Sequence, residues 1–121
     1  MALTPFGKAL RKLRIDRDLL LKDMADDVSM TSAYLSAVEA GRKPIPRNLI
    51  TQLRSRLNLT PEQESELREA ADMSASSAQF HFPASASPFD RSLATQLARN
   101  FGDLNLAQKE AIKSILNGRK A

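Results

Sequence analysis

Cysteine is absent from the 121 residues, and histidine and tyrosine occur once each, as His81 and Tyr34. Without cysteine the chain forms neither disulfides nor thiolate metal sites, and a reducing compartment is compatible with it. A single histidine cannot build a histidine-based metal cluster, and no cofactor is expected. No stretch approaches the ~20 apolar residues that a membrane span needs. The N-terminal MALTPFGKALRKLR is amphipathic and basic and lacks a continuous apolar core, so it does not read as a secretory signal. The cytoplasm is the expected place of work. A phosphate-binding glycine loop, a metal-ligand set and a nucleophile–base arrangement are missing too, so an enzyme is not expected. His81, between Phe80 and Phe82, reads as packing rather than as a general base.

What is present is cationic, and unevenly so. The net charge is +4, and its distribution matters more than its total. Residues 1–59 carry eleven Lys and Arg against six Asp and Glu, residues 60–89 one against five, and residues 90–121 six against three. A basic N-terminal half suits either a solvated surface or a polyanionic partner. The length allows one modest domain with an appendage.

Apolar spacing gives a run of helices. Thr4-Pro5 starts the first, with a capping hydroxyl and a proline at the first helical position. Phe6, Leu10, Leu13 and Ile15 form its inward stripe over about 4–17, leaving Lys8, Arg11, Lys12 and Arg17 outward. Leu21 to Gly41, LKDMADDVSMTSAYLSAVEAG, reads as two short helices, 21–28 and 32–40, joined by a tight turn at Ser29-Met30-Thr31. Ala25 is small where the two must approach, and Met24, Val28, Met30, Leu35 and Val38 are apolar. Thr31 can cap the second helix, and Gly41 can end it with a positive φ. This is the layout of a helix-turn-helix, whose second helix enters the DNA major groove.

Pro44 and Pro46 then enforce an extended segment. A fourth helix spans 47–57, with Leu49, Ile50, Leu53 and Leu57 on one side. Thr60-Pro61-Glu62-Gln63 is a capping-box start to a fifth, reaching about Asp72, with Leu67, Ala70, Ala71 and Met73 inward. Ser, Ala and Pro dominate residues 74–88, a linker interrupted by Phe80 and Phe82. That aromatic island reads as a clip onto the domain or as a short strand for a partner chain. Helices at 89–101 and 106–117 follow: Phe89, Leu93, Leu97 and Phe101 line the first, and Ile112, Ile115 and Leu116 point inward on the second. Asn105 starts that second helix and Gly118 terminates it. The pair has more apolar surface than it can bury alone, which points to docking or dimerisation.

FGKALRKLR, LKDMAD and AYLSAVEAGRKPIP together resemble the lambda-repressor-like, Xre/Cro-type helix-turn-helix regulators, over about 6–72. The resemblance implies an all-α fold, a five-helix lambda-repressor-like bundle over residues 1–73; beyond it, composition and apolar spacing alone give a linker over 74–88 and a helical hairpin over 89–121. It implies a sequence-specific DNA-binding transcriptional regulator, expected to be a repressor, acting on double-stranded DNA as a homodimer. The alternative is an antitoxin or phage-type regulator whose residues 74–121 bind a protein partner. Matching positions imply base contacts from Ser32, Ala33 and Ala37, with Ser36 nearby and Thr31 at the helix start. Tyr34, Lys22, Arg42 and Lys43 fall at backbone positions, and Arg47 at one that reaches a narrow minor groove. Arg14 and Glu39 match a structural ion pair between the first helix and the reading helix. The short side chains give no bidentate readout, so phosphate positioning and DNA shape should carry much of the sequence choice. The chain departs from the family at Ser29 and Asp18, where glycine is usual, and at Leu20, where a capping side chain is common; that missing cap costs about 1 kcal/mol.

Overall fold

Residues 3–118, the part described by the computed structural model, hold helices joined by loops and no strand. The all-α expectation therefore holds for the described residues. They divide into two units, split between Ala78 and Gln79.

In the first unit, α1 (Pro5–Asp16) starts where Thr4 accepts the Gly7 N–H. Next come α2 (Leu21–Asp27), α3 (Ser32–Glu39), α4 (Leu49–Leu57) and α5 (Pro61–Ser74). The last of these begins with the reciprocal Thr60–Gln63 box. Phe6, Leu10, Met24, Leu35, Leu49 and Leu53 are fully buried at the centre, each contributing about 1.5–3 kcal/mol on removal from water. Ala25 is buried in the same core.

The four helices α1 to α4 end alike. Each is followed by one residue in the left-handed region: Asp18 (φ 55), Ser29 (φ 58), Gly41 (φ 82) and Asn58 (φ 52). The next amide turns back onto the helix: Leu19 onto the Arg14 carbonyl, Met30 onto Ala25, Arg42 onto Ala37 and Leu59 onto Arg54. This is the Schellman closure, which satisfies carbonyls that the helix leaves unpaired. Only one of the four positions is glycine; Asp18 and Asn58 are of types that tolerate this region, whereas Ser29 holds a conformation that costs an ordinary L-residue about 1–2 kcal/mol.

Several side chains lie elsewhere than their spacing suggests. Ile15 is 69% exposed, and Arg14 is buried in its place. Continuing Phe6, Leu10 and Leu13 by helical steps reaches residues 14 and 17, not 15. Arg17 is accordingly half-buried, and it donates to the Leu57 carbonyl and to Gln63. Met73 is exposed, and α5 runs on to Ser74. The Ser74 hydroxyl donates to the Ala70 carbonyl and accepts the Phe6 N–H at 2.9 Å. The fourth helix starts at Leu49 rather than Arg47.

In the second unit, α6 (Pro88–Asn100) leads through a 3-10 turn (Phe101–Asp103) to α7 (Leu106–Gly118). Ser87 and Asp90 form a capping box before α6, and Asn105 and Gln108 do the same before α7. No residue of α6, the turn or α7 is buried. Ile115 and Leu116, expected inward, are exposed, because no interior exists for them to enter. Gly118 lies within α7 as its last described residue. Phe80 and Phe82 are exposed, and Arg91 sits 5.2 Å from the centre of the Phe82 ring.

Candidate nucleic-acid interface

The packing of α2 and α3 leaves one side of α3 open. Leu35, Val38 and Glu39 are buried, whereas Thr31, Ala33 and Tyr34 are exposed and Ser32, Ser36 and Ala37 are half-buried. All six outward residues are uncharged, and four of them are Ala or Ser. Short side chains let a partner surface come close to the helix backbone. Thr31 accepts the Tyr34 N–H at 3.0 Å, so the helix starts cleanly at the end that would point outward.

The C-terminal end of α3 is fixed by its own cap and by the start of α1. At its C-terminus the Gly41 amide donates to the Val38 carbonyl, and the Arg42 and Lys43 amides both donate to the Ala37 carbonyl. The backbone carrying these two cations is thereby locked to the helix. Arg42, Lys43 and Arg47 are exposed, and they line a groove of about 570 Å³ with Ile45, Ile50 and the end of α5. At the same end, the Thr4 amide and hydroxyl both donate to the Glu39 carbonyl, at 3.1 and 2.9 Å. Gly7 closes against that carbonyl so tightly that a Cβ would lie 2.2 Å from its oxygen. No local signal in the sequence marks Gly7, because its partner is more than thirty residues away.

Arg14 and Glu39 form an ion pair between α1 and α3. The guanidinium meets the carboxylate twice, at 2.5 and 3.1 Å, and its Nη1 is 3.4 Å from the Met24 sulfur. Both side chains are almost wholly buried. The bidentate bond ties α1 to α3 and sets the rotation of α3 on the core.

The start of α2 lies exposed. Leu20 has no capping oxygen, but its own N–H donates to the Asp23 carboxylate at 2.9 Å, half of a capping box. Lys22 beside it is exposed. Lys22, Arg42, Lys43 and Arg47 therefore stand on segments that flank α3 in the chain. Away from them, Glu64 at the start of α5 is held below the usual carboxylate range, first by its hydrogen bond from Arg68 at 2.8 Å. Desolvation opposes that shift, and the charge of Arg54 at 3.6 Å adds to it. Among the described residues no three acidic, His or Cys side chains gather to hold a metal, and no helix is long and apolar enough to cross a membrane.

A family model described as a helix-turn-helix domain matches residues 5–67, slightly more than half of the chain. No curated protein and no solved structure matches it.

Proposed function

Since this chain belongs to the helix-turn-helix domain family, we propose that it is a sequence-specific transcriptional regulator, a repressor, that binds double-stranded DNA as a homodimer in the cytoplasm. One observation carries the reading. The open face of α3 bears no charge, and two cations follow it on a backbone fixed by the helix's own cap. A face of this kind lies in a major groove while the cations meet the phosphates on its rim.

Ser32, Ala33, Ser36 and Ala37 take the base edges, the serines by hydrogen bonds and the alanines against thymine methyls. Thr31 and Tyr34 stand at the groove's edge. Lys22, Arg42 and Lys43 engage phosphates, and Arg47 reaches toward the minor groove. Two copies place their α3 helices about 34 Å apart, on successive turns of one face of the duplex. Occupying a promoter in that way blocks transcription. Residues 1–73 read DNA, 74–88 form a tether, and 89–121 pair copies. A second reading, in which residues 74–121 bind a different protein and so adjust DNA binding, draws on the exposed apolar side chains of α6 and α7.

The test is affinity for DNA upstream of the protein's own gene, measured against salt and followed by footprinting. Three phosphate-facing cations per copy give a log–log slope of about −5 for a dimer. A flat salt response, or no binding at low salt, would end the reading.

A further inference from the structure

We propose that the apolar faces of α6 and α7 are the contact between two copies of this chain, the four helices closing into one bundle. This deepens the homodimer part of the function proposed above and rests on it.

The two helices are well specified and have nothing to enclose. Capping boxes open both, at Ser87–Asp90 and Asn105–Gln108. Each is 13 residues long, a length at which an isolated helix is marginal in water. Helices of this kind draw their stability from a buried apolar face. Yet among residues 79–118 only Ala86, Ala94, Leu97, Leu104, Lys109 and Ile112 are even half-buried.

Area and charge both favour a second copy as the occupant. Phe89, Leu93, Phe101, Leu106, Ile115 and Leu116 are each more than half exposed. At roughly 200 Å² for a large side chain they present about 750 Å² per copy. A specific interface of standard size takes about 800 Å² from each partner. The charges on α6, the turn and α7 are four bases (Arg91, Arg99, Lys109 and Lys113) and three acids (Asp90, Asp103 and Glu110), with Arg119 and Lys120 following in the chain. Each helix carries both signs, Asp90 with Arg91 and Arg99 on α6 and Glu110 with Lys109 and Lys113 on α7, so over these helices a second copy meets a nearly balanced surface, and a strongly acidic or basic partner finds little to complement. Lys109 lies over the Phe101 ring, 4.8 Å from its centre, a cation–π contact within this unit. An isologous two-fold contact of two helices from each copy is the simplest closed arrangement.

The experiment uses the full chain. Sedimentation equilibrium gives the dimer constant, and far-ultraviolet circular dichroism across the same dilution series follows helix content. Leu93→Glu and Leu116→Glu, both at exposed positions outside the first unit's core, are measured beside the parent. The expected result is a dimer that loses helix as it dissociates, with either variant weakening association by about 30-fold or more. A parent that stays monomeric at its highest soluble concentration overturns the proposal. So do variants that dimerise as tightly as the parent, and so does a monomer that takes up only a different protein. DNA binding is scored separately. A dimer blind to DNA sinks the regulator reading and leaves this interface standing, whereas a monomer with steep, salt-dependent DNA binding does the reverse.

Discussion

Replacing Glu39 by leucine while keeping Arg14 should cost the first unit about 3–5 kcal/mol. The figure follows from what surrounds the guanidinium. Its side chain is only 10% exposed, and among the described residues the Glu39 carboxylate is the one salt-bridge partner it has. Without it, Arg14 keeps only the Met24 sulfur at 3.4 Å, a weak acceptor. A unit of this size is stable by about 4–12 kcal/mol in all, so Glu39→Leu removes much of that or unfolds it. Adding Arg14→Met should return stability to within about 1 kcal/mol of the parent, because two apolar groups of similar volume then fill the space. Urea titration of the parent, the two single variants and the double variant gives the coupling directly, expected at about 3 kcal/mol between contacting residues. Two outcomes refute the reasoning: a Glu39→Leu cost under about 1 kcal/mol, or a double variant that loses the sum of both singles. The refolded double variant should also keep DNA binding with an unchanged salt slope, since neither residue lies on the open side of α3.

Gly7→Ala should destabilise by about 1–3 kcal/mol, since its Cβ would overlap the Glu39 carbonyl; thermal melting reads this. Ser29→Gly should stabilise by up to about 1 kcal/mol by relieving the left-handed turn, less whatever entropy glycine adds to the unfolded chain; a lower urea midpoint would contradict it. Arg42→Gln and Lys43→Gln should each flatten the salt slope of DNA binding by about 0.9 per copy, as read by titration at several salt concentrations. Glu64 has a lowered carboxyl pKa in the fold, so its contribution is present above the ordinary carboxylate value and lost as pH falls through the depressed one. Glu64→Gln should therefore leave the parent and variant closer in stability at low pH than at neutrality, checked by urea midpoints at the two pH values.

What the sequence made legible was local. Thr4, Thr31, Thr60 with Gln63, and Gly41 act within one helical turn of themselves, and each behaves as its neighbours imply. Ser87-x-x-Asp90 carried the same kind of signal and lay unread inside an apparent linker. The misplaced side chains share a cause of another sort. Ile15 looked interior by chemistry, but the helical phase put Arg14 there, made tolerable by a carboxylate 25 residues on. Arg17 turned inward to a carbonyl 40 residues away. Gly7, Ser74 and the Glu39 carbonyl became significant only once α1, α3 and α5 were side by side. For the candidate interface, the resemblance supplied the positions, and the structure added the cap that fixes Arg42 and Lys43 to α3.

The grip of Thr4 on the Glu39 carbonyl has a practical corollary for anyone handling this protein. Thr4 lies one residue from Leu3, so a tether under load ahead of Leu3 would act on the two hydrogen bonds that Thr4 makes to the Glu39 carbonyl at the C-terminal end of α3.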